Sequence, residues 1–371
     1  MAGINHEAAL SDFHASLRKD SLGPLWTDLP HMITREPDHD VEPYLWKWET
    51  IRNHVLRAGE LLKPGKDSER RVVYLQNPSL LKKGLIGYGT YTLYAGIQLL
   101  QPGEQAPPHI HSQGAIRLII EGKGAYTSVN GEKINMDPGD LVLTPPYTWH
   151  EHGHEGAEPV LWMDGLDVGL VKSFAGSFFQ PYDGDSYPLT KPANYSSYQF
   201  SAPGLMPVDE NAQPGYPSPL LNYRWVDTER ALGTMAQGSP DVVKLNPHDG
   251  YAVKYVNPTT GGPADARIGS MMQKIPAGIH LQAHRHVHSA IYHVVRGTGY
   301  TVIDGKKFEW SQGDFFILPP WTWHEHVNTG DTEAFLFSID DTHVLQVLGL
   351  ERQEAYTDNG GYQEVTSIFH P

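Results

Sequence analysis

The chain carries one histidine-rich block twice. The first copy reads PPHIHSQGAIRLIIEGKGAYTSVNGEK and then GDLVLTPPYTWHEH, and the second reads QAHRHVHSAIYHVVRGTGYTVIDGKK and then GDFFILPPWTWHEH. His109 precedes His284 by 175 positions and His150 precedes His324 by 174, so one residue is missing from the second copy, which we place in a hairpin turn. Duplication at this period predicts two domains of one fold rather than a short-repeat solenoid.

Composition narrows the class of protein. The 371 residues have room for two domains with substantial cores, and 39% hydrophobic residues with 29 Pro and 37 Gly favour a compact, turn-rich β protein. The absence of cysteine excludes disulfides, thiolate ligands and iron–sulfur clusters. The net charge of −15, without a basic stripe, argues against nucleic acid as a partner.

The sequence contains no segment typical of a secretion signal or of a membrane span. The N-terminal residues lack the apolar segment of a secretion signal, and no apolar run is long enough to span a bilayer. We therefore expect a cytoplasmic protein.

Four segments are predicted along the chain. Residues 1–70 form an N-terminal helical extension, because LSDFHASLRKD and VEPYLWKWETIRNHVLRAGELL space their apolar residues as helices do. Residues 71–171 form the first β domain, with strands such as TYTLYAGIQLL punctuated by Gly and Pro. Residues 172–265, rich in Pro, Gly, Tyr and Asn, form a connecting segment, and residues 266–371 form the second β domain with a C-terminal tail. The expected class is all-β.

The spacing of the histidines predicts a metal site. Side chains alternate between the faces of a strand, so His109 and His111 share a face, which Arg117 joins if the strand continues. The same parity pairs His150 with His152. Burying so many polar groups without a metal or anion would be costly, although a lone buried His is more often a hydrogen-bonded core residue. The polar inner face also takes residues from other strands: Tyr94, Gln98, Trp162 and Asp164.

The motif G-x5-H-x-H, followed by G-D-x-x-x-x-P and a third His, resembles the cupin superfamily, and its duplication a bicupin. Its residues in the first copy are Gly103, His109, His111 and His150. The resemblance implies two jelly-roll β-barrels. Ala115 and Ala290 stand where many cupins, among them the oxalate-type manganese bicupins, have a Glu ligand. Three neutral imidazoles would leave the metal's charge uncompensated and favour a chelating anionic substrate with room for O2, but imidazole suits zinc, copper, nickel and iron alike.

Longer blocks resemble the gentisate 1,2-dioxygenase family, which includes salicylate and 1-hydroxy-2-naphthoate dioxygenases. They include PLWTDLPHMITREP, ERRVVYLQNP, LYAGIQLLQPGE, LWMDGLDVGLV and YVNPTTGGP. The resemblance implies one Fe(II) held in the first cupin by His109, His111 and His150. It implies ring cleavage between the carboxylate-bearing and ortho-hydroxyl-bearing carbons with both atoms of O2 incorporated, so that gentisate gives maleylpyruvate. It also implies a homotetramer.

Four further residues are candidates for substrate binding or catalysis. Arg117 is the expected carboxylate anchor, since its fork suits bidentate recognition; the alternative is an internal salt bridge with Asp164. His152 could accept the ortho-hydroxyl proton or only orient His150. Gln98 and Asp164 could hydrogen-bond ligands or substrate, and Asp164 could equally be a structural cap.

Two positions bear on specificity. Tyr94 in LYAG resembles the gentisate enzymes, whereas Trp would resemble the salicylate enzyme; a core aromatic is the alternative. Of Arg70 and Arg71, alternation allows one to face the site, and we favour Arg71. His-Ile-His and HEHGHEG depart from the family pattern, so salicylate, 5-nitrosalicylate and 1-hydroxy-2-naphthoate stay alternatives to gentisate.

The second block keeps a triad for a possible second metal: His284, His286 and His324. The substrate anchor is not retained, because Arg117 aligns with Tyr292 and Asp164 with Ser338. A relict or structural site is the alternative. For the whole chain, the competing functions are an O2-independent zinc or manganese cupin isomerase, hydrolase or decarboxylase, and a non-enzymatic storage or sensing bicupin, against which two intact triads argue.

Overall fold

The computed structural model describes residues 6–202, 204–208, 215, 217–238 and 242–371. The chain divides into two compact units, Met1–His39 and Asp40–Pro371. The described part of the first unit contains helices α1 (His6–Lys19) and α2 (Leu25–Met32). Within it, the ring of Phe13 stacks on that of Trp26 at 6.2 Å, and Trp26 Nε1 donates a hydrogen bond to His14 Nε2 at 3.0 Å.

Helices are a minor part of the second unit. They are α3 (Trp48–Leu61), α4 (Pro78–Lys82), α5 (Val168–Ser173), α6 (Tyr195–Gln199), α7 (Trp225–Gln237), α8 (Thr342–Val347) and a 3-10 turn at Asp358–Gly361. None of the helices among the described residues has both the length and the apolar character that crossing a membrane requires.

Strands make up most of this unit. Those before residue 200 are β1 (Tyr44–Trp46), β2 (Val72–Tyr74), β3 (Tyr94–Leu100), β4 (Gln105–His111), β5 (Ala115–Glu121), β6 (Ala125–Val129), β7 (Glu132–Asn135), β8 (Leu141–Thr144), β9 (His150–His154), β10 (Val160–Leu166) and β11 (Phe179–Pro181). Those after it are β12 (Asn222–Tyr223), β13 (Tyr251–Lys254), β14 (Gly269–Ile275), β15 (His284–His286), β16 (Ala290–Arg296), β17 (Thr298–Ile303), β18 (Lys306–Ser311), β19 (Phe315–Leu318), β20 (His324–Asn328), β21 (Ala334–Asp340), β22 (Gln353–Ala355) and β23 (Ser367–Ile368).

Each repeat is built from two sheets. In the first repeat they run β12-β8-β5-β10-β3-β2 and β11-β4-β9-β6-β7. In the second they run β1-β19-β16-β21-β14-β13 and β22-β15-β20-β17-β18-β23. The pairing is antiparallel except between β18 and β23. Two facing sheets per repeat are the architecture of a jelly roll, so the prediction of an all-β, two-barrel protein is confirmed.

The two repeats exchange their first strands. β1 precedes the first repeat but pairs with β19 of the second, and β12 precedes the second repeat but pairs with β8 of the first. The helix after each strand is fixed in the same way: Asp314 Oδ1 accepts from Trp48 N and Asp140 Oδ1 from Trp225 N, both at 2.8 Å. The helix expected over VEPYLWK is therefore wrong. Leu45 is buried there between half-buried aromatic neighbours, which is the alternation of a strand.

The residue missing from the second copy falls in a hairpin turn, as predicted. β5 and β6 are joined by residues 122–124, whereas Gly297 alone joins β16 to β17. One residue of this difference arises because β17 begins one position earlier than β6, and the other is the missing residue. Gly122 and Gly297 both have positive φ, 83° and 96°, which the tight reversal needs.

Alternation on β5 separates the site from the core. Ile116 and Leu118 belong to a hydrophobic cluster that also contains Phe337 and Ile339 of the second repeat. Arg117, between Ile116 and Leu118, points to the opposite face of its sheet and so into the first barrel. The shared core therefore holds the two barrels together while each keeps a polar interior.

Candidate metal centre and active site

Three histidines meet inside the first barrel. His109 and His111 lie on β4, and His150 lies opposite His109 on the neighbouring strand β9. One ring nitrogen from each lies within 4.8 Å of the others, and the ring centroids of His109 and His150 are 4.5 Å apart. β4 reaches this position through a register shift between Ala106 and His109, which contains the two prolines of PPHIH. The second repeat has an equivalent triad: His284, His286 and His324.

Main-chain carbonyls orient two of the three rings. His111 Nδ1 donates to Gln113 O at 2.9 Å, and His150 Nδ1 donates to Thr148 O at 3.0 Å. Each ring thus directs Nε2 toward the centre. His150 Nε2 and His109 Nδ1 are buried and have no hydrogen-bond partner among the described residues. A metal ion would satisfy these nitrogens, and a carbonyl on the far nitrogen is the usual support for a ligating histidine, so the residues fit a metal.

The triad is held in its neutral, ligating form. Burial, followed by the positive charge of Arg117, lowers the pKa of His111 to about 4. Burial also lowers the pKa of His109 and His150 well below the usual range. Imidazole binds a metal only when neutral, so protons would not compete with the metal near neutral pH.

The structure corrects the choice between the two adjacent arginines. Arg71, favoured from the sequence, is buried away from the site, where its Nη1 donates to Leu62 O at 2.7 Å and to Glu104 Oε1 at 2.9 Å. Arg70 faces the site instead: its Nη2 is 3.4 Å from His109 Nε2, and its Nη1 donates to Pro107 O at 2.8 Å. The expectation for Arg71 is therefore wrong. The strand β2 begins only at Val72, so strict alternation does not reach either arginine.

Arg117 lies beside the triad in a buried ion pair. Its Nε is 2.9 Å from Asp164 Oδ1, and its Nη1 donates to Thr144 Oγ1. Asp164 also accepts from Trp162 Nε1 at 3.1 Å. Burial lowers the pKa of Arg117, and the charge of Asp164 opposes that shift. The salt bridge that the sequence left as an alternative is present, but a guanidinium has five N–H donors, so it can still act as an anchor.

A second positive charge lies at this end of the barrel. Burial, and next the charge of Arg117, lower the pKa of Arg70 to about 9. Two guanidinium groups that repel each other would be stabilised by a bound anion. The arrangement of Arg70 and Arg117 beside the triad is therefore compatible with binding of an anion such as a carboxylate.

His152 occupies the inner face of β9 next to His150. Its Nδ1 lies 2.9 Å from Thr127 Oγ1, while its Nε2 is buried without a partner among the described residues. Because the carbonyl of Thr148 already orients His150, His152 is not needed for that purpose. Burial keeps the pKa of His152 well below its usual range, so the ring is neutral near neutral pH. Nε2 is the acceptor in the tautomer in which Nδ1 donates to Thr127 Oγ1.

Tyr94 and Gln98 lie on β3, beside Asp164 of β10. Gln98 Nε2 is buried without a partner in the described part of the chain, so it is available as a donor. The Tyr94 hydroxyl lies over Gly96, where a Cβ would come within 2.4 Å of it. Gly96 therefore permits this position of Tyr94.

Some of the residues around the site carry no motif that sequence reasoning could use. Thr127 and Thr144 support His152 and Arg117, and Glu104 holds Arg71. Phe179 comes from the segment expected to be a connection: β11 pairs with β4, and the Phe179 ring lies 5.0 Å from that of His109. The one sequence signal for the two threonines is that they stand in the first duplicated block, on strands next to those of His152 and Arg117.

Known proteins agree with this architecture. The cupin domain family matches residues 96–168 and 271–340. The chain is 36% identical over 363 residues to 5-aminosalicylate 1,2-dioxygenase of Comamonas sp., covering 97% of this chain and 94% of that protein. It is 38% identical over 342 residues to gentisate 1,2 dioxygenase 1 of Aquipseudomonas alcaligenes, covering 92% and 95%.

A solved structure gives the same result in three dimensions. The crystal structure of salicylate 1,2-dioxygenase from Pseudoaminobacter salicylatoxidans, with gentisate, superposes with a TM-score of 0.86 at 32% identity and covers 95% of both chains. These similarities extend over nearly the whole chain rather than over the cupin motifs alone. The chain therefore belongs to the bicupin gentisate 1,2-dioxygenase family.

Proposed function

We propose that the protein is an Fe(II)-dependent dioxygenase that cleaves the ring of an aromatic hydroxy acid, with gentisate as the first candidate substrate. The ring bond between the carboxylate-bearing carbon and the ortho-hydroxyl-bearing carbon is broken, both atoms of O2 enter the product, and gentisate gives maleylpyruvate. The observation that carries the proposal is the pair of guanidiniums, half-buried Arg70 and buried Arg117, beside a neutral histidine triad. A cupin decarboxylase would also need an anion site, and the ring-cleaving dioxygenases that align along the chain favour ring cleavage over decarboxylation.

The arginines bind and orient the substrate. The carboxylate would lie between Arg70 and Arg117, which places the adjacent hydroxyl toward the triad. Gln98 Nε2 can donate to a substrate oxygen. Asp164 holds Arg117 from behind, so the guanidinium is oriented before the substrate arrives.

His152 would receive the proton of the ortho-hydroxyl. Its Nε2 is buried without a partner among the described residues, and the negative charge of the bound substrate would offset the arginine charges that add to burial in lowering the pKa of His152. Thr127 fixes the other ring nitrogen and hence the orientation of the imidazole. Fe(II), if bound by His109, His111 and His150, would pass electron density from the bound substrate to O2, and the ring itself is oxidised.

Another 5-substituted salicylate is the second candidate, because the 5-aminosalicylate 1,2-dioxygenase relative aligns over 97% of the chain. 1-Hydroxy-2-naphthoate is a further candidate, because a 1-hydroxy-2-naphthoate 1,2-dioxygenase of Nocardioides sp. is 34% identical over 84% of the chain. Tyr94, with its hydroxyl over Gly96, offers a polar group near the ring. Salicylate and 5-nitrosalicylate complete the set to be tested.

Oxygen uptake tests the proposal directly. Protein loaded anaerobically with Fe(II) should consume one O2 per molecule of gentisate or of one 5-substituted salicylate. The ultraviolet absorption of the product should be that of the ring-opened acid. No uptake with any of these acids, by protein that retains iron, would contradict the dioxygenase function and favour an O2-independent metal cupin.

The adjacent arginines should give opposite results when each is replaced by glutamine. Arg70→Gln should lower kcat/KM by about two orders of magnitude with little change in stability, because it removes one charge from the substrate site. Arg71→Gln should leave the site intact but lower the free energy of unfolding by about 3 kcal/mol, because it leaves Glu104 without its buried partner. Steady-state kinetics and urea unfolding of both variants measure this. The reverse pattern would restore the original choice of Arg71 as the substrate residue.

Assembly and a second metal belong to the same proposal. We infer a homotetramer, as the family resemblance implies, which light scattering on the purified protein would test. We also infer that His284, His286 and His324 bind a second metal ion, since His324 Nε2 and His284 Nδ1 are buried without partners among the described residues.

A further inference from the structure

The second barrel contains an open cavity in front of its triad. The cavity has a volume of about 730 Å³ and is lined by His284, His286 and Tyr292. The support of the triad is the same as in the first barrel: His286 Nδ1 donates to His288 O at 2.8 Å and His324 Nδ1 donates to Thr322 O at 3.0 Å. The histidine equivalent to His152 is also present, because His326 Nδ1 lies 2.8 Å from Thr301 Oγ1. The second barrel is thus equipped for a metal and for a ligand beside it.

The register of the two barrels shows that the anion site is missing. Tyr292 lies opposite Ser338, as Arg117 lies opposite Asp164 in the first barrel. Tyr292 therefore replaces the anchoring arginine. It is buried and stacks on Phe316 at 4.8 Å.

The second guanidinium is missing as well. Ala252 lies opposite Gln273, as Val72 lies opposite Gln98. Arg70 stands two residues before Val72, and Gly250 stands two residues before Ala252. Glycine therefore takes the place of the arginine that lies beside the first triad.

The carboxylate of Asp249 lies at this end of the cavity. Gln273 Nε2 donates to Asp249 Oδ1 at 3.2 Å, whereas the equivalent atom of Gln98 has no partner among the described residues. Asp249 and Asp340 both line the cavity. The lining also includes Lys254, which is exposed, and Arg352, which pairs with Glu354 at 2.6 Å. Where the first barrel presents two guanidinium groups beside its triad, the second presents a phenol and the carboxylate of Asp249. His288 also lines the cavity and pairs with Glu351 at 3.0 Å.

We propose that the second barrel is a separate metal-dependent binding site for catechol-type ligands, which have two adjacent hydroxyls and no carboxylate. The metal, held by three neutral imidazoles, needs anionic oxygen donors, and a deprotonated catechol supplies two in chelating positions. Asp249 repels a carboxylate but accepts a hydrogen bond from a hydroxyl or ammonium group on the ligand. The site therefore differs from the first barrel in ligand class and does not depend on ring cleavage there.

The test uses the full chain with the first triad disabled. His111→Ala protein, loaded anaerobically with Fe(II), should retain about one metal ion per chain, measured by mass spectrometry of the metal. Titration with 4-nitrocatechol, followed by its visible absorption, should reach one equivalent, and salicylate should compete at least about tenfold more weakly than catechol. Loss of all metal, or equal competition by salicylate and catechol, would overturn the proposal.

Two variants on this background test the charge argument. Tyr292→Arg restores the arginine of the first barrel and should strengthen salicylate binding about tenfold, and Asp249→Asn should reduce the preference for catechol by about the same factor. Asp331→Asn, which removes an exposed carboxylate outside the cavity, is the matched control and should leave the preference unchanged. If neither Tyr292→Arg nor Asp249→Asn changes the preference, or if Asp331→Asn changes it equally, the ligand class is wrong.

Discussion

His111→Ala will abolish ring cleavage, with kcat/KM for the preferred acid lower by about three orders of magnitude or more, because loss of a ligand removes the metal chemistry itself. His111 shares β4 with His109, and the carbonyl of Gln113 fixes its ring. A pair of ligands, His109 and His150, would hold a divalent metal weakly and in the wrong geometry. Oxygen uptake under saturating Fe(II), together with bound iron per chain, measures the effect.

The equivalent substitution in the second repeat makes the comparison informative. His286→Ala removes a histidine that has the same strand position and the same kind of carbonyl contact, to His288 O. Both variants lose an imidazole from inside a barrel, half-buried for His111 and buried for His286, so general damage to folding should be at least as large in His286→Ala. If His286→Ala loses ring cleavage as completely as His111→Ala, the assignment of the reaction to the first barrel is wrong.

Much of the first triad could be predicted because its signal is local and repeated. The H-x-H pair needs only the two-residue period of a strand, and its duplication at a constant offset supports the interpretation twice. The prediction that Arg117 shares a face with His109 and His111 assumes that one strand continues from His111 to Arg117, and this assumption is wrong. β4 ends at His111 and β5 begins at Ala115 in another sheet, so the parity is carried across a turn rather than along one strand.

The arginine pair shows where this reasoning stops. Arg70 and Arg71 precede the three-residue strand β2, and their directions are set by tertiary partners: Glu104 for one and Pro107 O for the other. Those partners are more than thirty residues away in sequence. Alternation cannot identify contacts of this kind, and only the packed structure shows which guanidinium is neutralised.

The exchange of β1 and β12 was also beyond the sequence pattern. Both strands are two or three residues long and lie in segments read as a helical extension and a connection. A strand this short has too few alternating positions to be distinguished from its surroundings. Its partner is set by the hydrophobic core that both repeats share and by Asp314 and Asp140, which bind the helix that follows each strand.

Arg117→Gln should lower kcat/KM for the aromatic acid by about two orders of magnitude or more, since one charge of the carboxylate anchor is lost from a desolvated site. Glutamine keeps a donor for Asp164 or Thr144, so the barrel should still fold and bind metal. The loss should fall mainly on KM if Arg117 only holds the ground-state carboxylate, and on kcat if it also orients the ring for reaction. Steady-state oxygen uptake over a wide range of substrate concentration separates the two.

Arg117→Lys is the matched control that separates the contribution of the positive charge from that of the guanidinium geometry. Lysine keeps the positive charge but not the planar fork that contacts Asp164 and the substrate together, so it should recover part of the lost kcat/KM and leave a deficit of about tenfold. Full recovery would mean that charge alone matters at this position. If Arg117→Gln instead loses its iron or unfolds while Arg117→Lys is fully active, the main role of Arg117 is the ion pair with Asp164, and the carboxylate anchor falls to Arg70.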